Sequence, residues 1–323
     1  MSFVSTQRAA RATSHMRRWL LAGLATTLVT LSACGGGGND VDRGPTTLAV
    51  DAKLNGLYWD KPEGKLYLTD DTTNAIRVWD ESKNFPEHAK LTALGKDSKG
   101  QDQRSTLGQL TRTQDGTFYV TRFGFGEYGA VVAVPKSGAA YNLSGTDGTR
   151  RRMGITTTPD GALLDGWFRG GNSGGNTGAI SELTVTGQTA TERDLVTGLG
   201  KPVGLGVVGD QLYVSDQNTA KVSSYSLRAL RAQPAVGEGK LVAEFLTQDG
   251  IDLMTAASDG TLFFGGSGGK LFQVSPAGKV TVLANGWPKV IGVAYDETHR
   301  RLFAAVAAAD ANSTASVRIV PIP

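Results

Sequence analysis

Short runs of alternating apolar and polar residues fill the chain from about Thr46 to its end, and no segment there has a convincing helical period. Alternation with a period of two is typical of half-buried strands, whereas an amphipathic helix repeats its apolar residues every three or four positions. Six times an apolar run meets a tight turn and a second run follows: "GLYWDKPEGKLYLTD", "QLTRTQDGTFYVTR", "GITTTPDGALLDG", "GLGVVGDQLYVSD", "DLMTAASDGTLFFGG" and "GVAYDETHRRLFAAV". The pattern predicts an all-β fold.

These paired runs are the core of a longer repeat. The first apolar residues after the six turns lie 40 to 52 residues apart, at Leu66, Phe118, Leu163, Leu212, Leu262 and Leu302. A four-stranded propeller blade takes about 40 to 50 residues. Third and fourth runs follow each pair, as in "KLFQVSP" and then "KVTVLA". We therefore predict one six-bladed β-propeller over residues 46–323.

The last repeat is one strand short. After "RLFAAV" and "SVRIVPIP" the chain ends, while "TTLAV" at Thr46–Val50 has no partner within the first repeat. If Thr46–Val50 is the outer strand of the sixth blade, the ring closes and two sheet edges are hidden. The sequence therefore predicts closure of the last blade by an N-terminal strand.

The N-terminal run "MRRWLLAGLATTLVTLSACGGGG" indicates an address in the cell. Two arginines precede a short apolar stretch, and Leu31-Ser32-Ala33-Cys34 follows it. This segment resembles a bacterial lipoprotein signal, which implies cleavage before Cys34, a lipid on its thiol and anchoring to the membrane. We expect residues 1–33 to be the signal and residues 34–45 a lipidated, Gly-rich tether. Met16 fits the start of such a signal better than Met1, so residues 1–15 are a candidate upstream extension. Gly35 after the cysteine favours the outer membrane, facing the periplasm.

Removal of the signal changes the charge of the protein. The whole chain has 33 basic and 30 acidic residues and a net charge of +3. Residues 1–33 contain four of the arginines and no acidic residue, so 29 basic residues remain against 30 acidic ones. Because nucleic-acid binding needs a basic footprint, we expect no nucleic-acid partner.

Two glycine-rich stretches match catalytic or cofactor motifs. Gly171 to Gly175 fits G-x-S-x-G with Ser173 as the nucleophile, but the pattern recurs at Gly265–Gly269 and the mature chain has only His88 and His299 as bases. Gly124–Gly129 fits G-x-G-x-x-G but precedes the apparent strand "AVVAV" instead of a helix. We interpret all three stretches as hairpin loops.

A binding site is expected on one face of the channel, where the innermost strands begin and where the loops between second and third strands lie. Carboxylates, arginines and aromatic residues at these positions would form a polar pocket with stacking surfaces. An aspartate at the end of a second strand can instead cap the following turn, and each arginine can pair with a neighbouring carboxylate. The candidate ligand-binding residues are Asn55, Asp70, Asp71, Arg122, Phe123, Arg152, Asp165, Trp167, Asp216, Asp252 and Lys289.

The phrases "KLYLTDDTTNAIRVWD", "QLYVSDQNTAKVSSYSL" and "GLYWDKPEGKLYL" resemble the blades of NHL-repeat proteins and of the senescence marker protein/gluconolactonase family. The resemblance implies one divalent cation in the channel, held by a Glu, an Asn and an Asp, with the Asp also acting as acid and base. By motif, these three residues fall on Asn55 in "NGLYWD", Val203 in "PVGLGV" and Asp249 in "DGIDL". Of these three positions, only Asp249 has a charged side chain that can bind a cation, and Asn55 offers an amide oxygen.

Two functions are therefore carried forward. The first is a lipid-anchored propeller of the bacterial envelope that binds a small polar ligand or an envelope protein without chemistry of its own. The alternative is a divergent metal-dependent lactonase or ester hydrolase, with Asp249 as catalytic residue and Asp249 and Asn55 as ligands of one Ca²⁺ or Zn²⁺ ion. No cofactor is required by the first function.

Overall fold

The computed structural model describes residues 46–81, 85–96, 99–100, 103, 106–170 and 175–323. The predicted signal, Cys34, the tether and Ser173 lie outside these residues. The described chain begins with strand β1 (Thr46–Val50) and continues through three sheets in succession. Blade 1 has β2 (Leu54–Asp60), β3 (Lys65–Asp70), β4 (Ala75–Trp79) and β5 (Glu87–Lys90). Blade 2 has β6 (Leu107–Arg112), β7 (Phe118–Arg122), β8 (Ala130–Val134) and β9 (Tyr141–Asn142). Blade 3 has β10 (Arg151–Thr157), β11 (Leu163–Gly170), β12 (Asn176–Thr186) and β13 (Thr189–Leu199).

The second half of the ring repeats this arrangement with one insertion. Blade 4 has β14 (Pro202–Val208), β15 (Gln211–Asp216), β16 (Lys221–Ser226) and β18 (Lys240–Glu244), and the chain between β16 and β18 forms helix α1 (Leu227–Ala232) and the short strand β17 (Ala235–Val236). The short β17 pairs in parallel with β13 of blade 3 instead. Blade 5 has β19 (Ile251–Ala256), β20 (Leu262–Gly266), β21 (Leu271–Val274) and β22 (Val280–Ala284). Blade 6 has β23 (Val290–Asp296), β24 (Arg301–Val306), β25 (Ala315–Pro321) and β1.

The predicted all-β, six-bladed propeller is confirmed, and so is its closure. Strand β1 pairs antiparallel with β25, from Thr46 opposite Ile319 to Val50 opposite Ala315. The first and last parts of the described chain therefore share one sheet. None of the described helices is long and apolar enough to cross a membrane.

The hydrophobic core is divided among the junctions between blades. Six separate clusters of buried side chains occur, each made by two neighbouring blades. In the junction between blades 6 and 1, Leu57 and Leu68 pack with Phe303 and Val317. In the junction between blades 4 and 5, Val222 packs with Phe264. Each strand face is buried by the next blade, which is why the strands are almost continuously buried where they are innermost.

Each innermost strand has a β-bulge near its beginning. In blade 1, Leu54 pairs with Asp70 and Leu57 pairs with Leu68, so two residues oppose the single residue Thr69. The same irregularity occurs in all six innermost strands. A bulge bends a strand and redirects its side chains. The bulged residues therefore form a ring at one mouth of the channel.

The second residue of several bulges must be small. A Cβ atom on Gly292 would lie 2.1 Å from the carbonyl oxygen of Asn55 in blade 1, and one on Gly154 would lie 2.6 Å from the carbonyl oxygen of Val203. Hydroxyl groups on the second strands complete these junctions. Ser215 Oγ accepts a hydrogen bond from the Gly204 amide and donates one to the Asp252 carbonyl oxygen. Close contact between neighbouring backbones thus fixes the ring of bulged residues.

Candidate functional site

A cavity of about 500 Å³ opens at the channel mouth where the bulges lie. Its wall includes one bulged residue from each of five blades: Asn55, Met153, Val203, Asp252 and Ile291. Ligand sites in proteins are concave and commonly have volumes of about 300 to 1,000 Å³. The cavity thus has a suitable size for a small organic molecule, and the repeat of the fold determines its wall.

One buried carboxylate lies at the centre of the polar part of this cavity. The side chain of Asp252 is only 3% exposed, and Lys289 Nζ lies 3.1 Å from its Oδ2 atom. Its Oδ1 atom is buried and has no hydrogen-bond partner among the described residues. Burial raises the pKa of Asp252, against the opposing influence of Lys289 and Lys201. A half-satisfied buried carboxylate in a cavity is available to a ligand or to a water molecule.

A second lysine lies on the same wall. Lys201 Nζ donates a hydrogen bond to Gln217 Oε1, and Gln217 Nε2 donates one to the Ile251 carbonyl oxygen at 3.0 Å. Burial lowers the pKa of Lys201, and the positive charges of Lys289 and Arg151 lower it further, while Asp252 acts in the opposite direction. These four charged groups are therefore close enough to influence one another.

The basic residues occupy one repeated position of the fold. Lys53, Lys201 and Lys289 each directly precede an innermost strand, and the carbonyl oxygen of each accepts a hydrogen bond from the amide just after the second strand of the same blade. Arg151 has the corresponding place in blade 3, where it pairs with Phe168. We call Lys53, Arg151, Lys201 and Lys289 the basic collar. Three of the four line the cavity, and Asp252 is the one acidic residue among the described lining residues.

Apolar side chains form the rest of the wall. Phe123 and Phe125 lie on the loop after β7 with their ring centroids 4.8 Å apart, and Phe125 is 46% exposed. Met153, Val203 and Ile291 continue this surface around the channel. Phe123 was predicted from the sequence as a candidate ligand-binding residue, and the structure places it in the cavity. The cavity therefore offers both a charged region and an apolar one.

The structure assigns two predicted aspartates to capping. Asp70 accepts hydrogen bonds from the Thr72 amide at 2.8 Å and from Arg77 Nε at 2.7 Å. Asp216 accepts hydrogen bonds from the amides of Gly200 and Lys201 at 2.7 and 2.8 Å. Both carboxylates are buried, and neither lines the cavity. The capping alternative therefore accounts for the hydrogen bonds of both aspartates, and their predicted ligand-binding role has no support at this cavity.

Three more predicted residues lie inside blade 3 and not on the cavity wall. The guanidinium of Arg152 is fully buried and pairs with the carboxylates of Asp165 and Glu192. Trp167 Nε1 donates a hydrogen bond to Ser181 Oγ at 2.7 Å. A buried arginine needs such partners because an unpaired charge there is very unfavourable. The contacts of Arg152, Asp165 and Trp167 are therefore internal to blade 3, as the alternative of an arginine paired with a neighbouring carboxylate expects.

Arg122 and Asp71 also differ from their predicted role. Arg122 is only 2% exposed, and its Nη2 atom donates a hydrogen bond to Asn74 Oδ1 at 2.9 Å. Asp71 accepts hydrogen bonds from the Leu107 amide at 2.6 Å and from Asn55 Nδ2 at 2.9 Å. Neither of the two lines the cavity. Asp71 instead positions Asn55, and Asn55 lines the cavity.

The predicted metal ligand Asp249 lies outside the cavity. It ends a short 3-10 turn, Thr247–Asp249, and its carboxylate accepts a hydrogen bond from Lys270 Nζ at 2.7 Å. The bulge in β19 places Asp252, three residues later, at the ring position that Asn55 and Val203 occupy in their blades. Asp252, and not the motif-matched Asp249, is therefore the carboxylate that faces the cavity.

The residues at the ring do not fit a divalent cation. They supply one amide from Asn55, an aliphatic side chain from Val203 and one carboxylate from Asp252, which already has the ammonium group of Lys289 at 3.1 Å. Ca²⁺ takes about six to eight oxygen ligands, and Zn²⁺ prefers His, Cys and carboxylate groups. Across the described residues no cluster of three or more His, Cys, Asp and Glu side chains could hold a metal.

The glycine stretches that match sequence motifs lie, within the described residues, in or beside hairpin turns. Gly124–Gly129 connects β7 to β8, and Gly124 and Gly126 have positive φ angles of 57° and 80°. Gly265 and Gly266 end β20. His299 Nδ1 lies 2.7 Å from Asp296 Oδ2 in a hairpin, and His88 packs against the rings of Tyr67 and Phe118. Neither histidine lies at the cavity.

Five residues that line the cavity were not among the predicted ligand-binding candidates: Lys201, Gln217, Met153, Phe125 and Ile291. A usable signal was present for part of this set. Lys201 and Lys289 hold the same place in the repeat as Lys53, directly before an innermost strand. Aligning the six repeats on their first strands, and not only on the turn, would have found the basic collar.

Solved structures with the same fold include several proteins of the gluconolactonase-like group. A luciferin-regenerating enzyme matches with 16% identity and a TM-score of 0.62, covering 86% of this chain and 95% of that one. A gluconolactonase from Xanthomonas campestris matches with 16% identity and a TM-score of 0.60, covering 86% and 89%. A regucalcin from Agrobacterium tumefaciens, described as a calcium-binding protein, matches with 13% identity and a TM-score of 0.62, covering 85% and 96%. The chain shares the six-bladed propeller of these proteins. No family model and no curated protein matches the sequence.

Proposed function

We propose that this protein binds a small organic molecule in the channel-mouth cavity. The observation that supports the proposal is the combination of the buried, half-satisfied carboxylate of Asp252 with two lysines and an apolar wall in a cavity of about 500 Å³. A cavity with an apolar surface and a few convergent polar groups is the usual form of a ligand site.

The cavity can be tested without knowledge of the ligand. Ala308 is exposed and lines the cavity, whereas its exposed neighbour Ala309 does not line it. An Ala308→Trp variant should fill part of the cavity, and Ala309→Trp is the matched control. A panel of sugars, lactones, organic acids, amides and amines is tested by thermal unfolding and calorimetry. We expect binders whose affinity is lost in Ala308→Trp and kept in Ala309→Trp; the absence of binders, or equal loss in both variants, would contradict the proposal.

Hydrolysis of a lactone or ester in the same cavity is the second candidate function. The names of several structures with this fold favour it, and so does the position of Asp252 in the ring. Because burial raises its pKa, Asp252 suits the role of a general base. Asp252 would take a proton from water as the oxygen attacks the carbonyl carbon, and a lysine ammonium would stabilise the oxyanion. The ring C–O bond would then break, and the alkoxide would receive the proton, giving a hydroxy acid.

Asp252→Asn distinguishes the two functions. If the protein is a hydrolase, the variant should lose turnover of a panel of lactones and nitrophenyl esters by about 10² or more, because the general base is removed. Wild-type turnover should be unaffected by a chelator, since the ring residues do not fit a metal ion. Wild-type activity that depends on added Ca²⁺ or Zn²⁺ would refute this metal-independent form. If the wild-type protein binds ligands but turns over none of the panel, the hydrolase function is contradicted and the binding function is supported.

We also propose that the protein is attached to the outer membrane of the bacterial envelope through a lipid on Cys34. The proposal rests on the sequence of residues 17–34 alone. Metabolic labelling with a fatty acid in a bacterial host should mark the wild-type protein and not a Cys34→Ser variant. Equal labelling of both proteins, or no labelling of either, would contradict it.

A further inference from the structure

Cationic side chains occupy four of the six equivalent positions at the entry to the innermost strands, directly before the strand in three blades and at its first residue in blade 3. They are Lys53 in blade 1, Arg151 in blade 3, Lys201 in blade 4 and Lys289 in blade 6. Thr106 and Gly250 occupy the other two. The arrangement is a property of the fold and not of one loop, because the backbone hydrogen bonds of these positions are the same from blade to blade. Positive charge is therefore concentrated at one mouth of the channel.

The charge of the collar is only partly balanced. Asp252 faces Lys289, and Asp71 lies 3.5 Å from Lys53 Nζ but does not line the cavity. Lys201 makes its hydrogen bond to a neutral amide, Gln217. Neither Lys201 nor Arg151 has an ion-pair partner among the described residues. Lys201 is partly buried with no carboxylate at ion-pair distance, and the negative charge of Asp252 offsets only part of the cost of that burial, so an anion from outside would stabilise the ammonium ion.

We propose that the ligand of the channel-mouth cavity is an organic anion, a carboxylate attached to an apolar group, with the acid held by the basic collar. The proposal rests on the proposed function and names the class of molecule that the cavity takes. Lys201 and Lys289 provide positive charge beside the ring position of Asp252. The apolar part of the ligand contacts the wall formed by Phe123, Phe125 and Met153.

Pairs of ligands that differ only in charge test this proposal directly. Aliphatic and aryl carboxylates of three to ten carbons are compared with their own primary amides, which have nearly the same size and are neutral. Binding is measured by calorimetry with the wild-type chain at low and high salt. We expect at least one acid to bind about tenfold or more tightly than its amide, with a preference that decreases as salt screens the charges.

Two substitutions with opposite charge effects show which residues cause the preference. Lys201→Met should reduce the preference for the acid severalfold, because it removes a partly buried ammonium group. Asp252→Asn should increase it, because it removes the one carboxylate of the described cavity wall while its amide oxygen can still accept a hydrogen bond from Lys289. Lys279→Met is the matched control: Lys279 is exposed in the hairpin between β21 and β22, away from the cavity.

The outcomes separate this inference from the proposed function. If amides, lactones or sugars bind as tightly as the acids and Ala308→Trp abolishes their binding, the cavity is a ligand site but the anion assignment is wrong. If an acid is preferred but Lys279→Met reduces the preference for the acid over its amide as much as Lys201→Met does, the preference comes from the net charge of the whole protein. The assignment to the basic collar is then wrong. If nothing in either panel binds, both proposals fail.

Discussion

Replacement of Val50 by alanine should destabilise the whole propeller, although Val50 lies in the first strand of the described chain. Val50 is 2% exposed and belongs to the cluster that joins blades 6 and 1. Its strand, β1, is the outer strand of blade 6, and among the described strands it pairs with β25, where Val50 lies opposite Ala315. Loss of packing at this point therefore weakens the junction at which the ring closes.

The size of the effect follows from the buried volume. Val→Ala removes the equivalent of two buried methylene groups, which is worth about 1.6 kcal/mol of transfer free energy. A residual cavity of roughly 50 Å³ adds about 1 kcal/mol at ~24 cal/mol per Å³. We expect the free energy of unfolding to decrease by about 2 to 3 kcal/mol. In a domain of this size that change lowers Tm by roughly 4 to 6 °C.

Urea unfolding followed by tryptophan fluorescence measures this change. Thr47→Ala is the matched control, because Thr47 lies in the same strand and is exposed. Its effect should stay within about 0.5 kcal/mol. A Val50→Ala variant as stable as the control would refute the idea that packing of β1 holds the ring closed. Two separate unfolding transitions in Val50→Ala would also refute it, because they would show that blade 6 opens independently of the other blades.

Two further predictions concern the junctions and the buried charges. Gly292→Ala should destabilise the protein by about 1 to 3 kcal/mol, because its Cβ atom would lie 2.1 Å from the Asn55 carbonyl oxygen. Gly170→Ala is the control in the same urea assay. It should have little effect, because the atom nearest to its Cβ would be Arg151 Nη1 at 3.6 Å. Burial raises the pKa of Asp165 to about 6, above the ordinary value of about 3.9. Between these two values the folded state binds more protons than the unfolded state, so this group lowers stability as pH rises through about 4 to 6, and Asp165→Asn should remove that part of the pH dependence of unfolding. A pH profile of Asp165→Asn parallel to that of the wild type would contradict the assignment.

The fold could be predicted because its signal is repeated six times. Alternation identifies strands, and the distance from Leu66 to Phe118 and onward gives the size of a blade. The closure by Thr46–Val50 followed from the missing strand of the last repeat, since an open blade leaves an unprotected edge. Irregular features were harder: β17 left its own blade to pair with β13, and nothing in "PAVG" indicates this pairing.

The candidate site was predictable only in part, because a β-bulge changes which residue faces the channel. A motif that contains two aspartates three residues apart, as in Asp249 and Asp252, gives no indication of where the bulge begins. Capping by Asp70 and Asp216 depends partly on amides that are far away in the sequence. The Lys201 amide, for example, lies 15 residues before Asp216. Pairing of Arg152 with Glu192 joins the first and fourth strands of a blade. Such contacts are made by the tertiary structure, so local patterns do not reveal them.

The position of the basic collar bears on both candidate functions at once. A lactonase of this fold needs a cation to stabilise the oxyanion, and its product is an organic acid; a binding protein for organic acids needs the same positive charge to hold its ligand. Lys201 and Lys289 meet both needs without a metal ion. The role of Asp252 therefore distinguishes the two functions. In a binding protein Asp252 pairs with Lys289 and limits the positive charge of the cavity. In a hydrolase Asp252 would act as the base that starts the reaction. Because the same substitution, Asp252→Asn, should tighten acid binding in the first case and abolish turnover in the second, this single carboxylate decides between them.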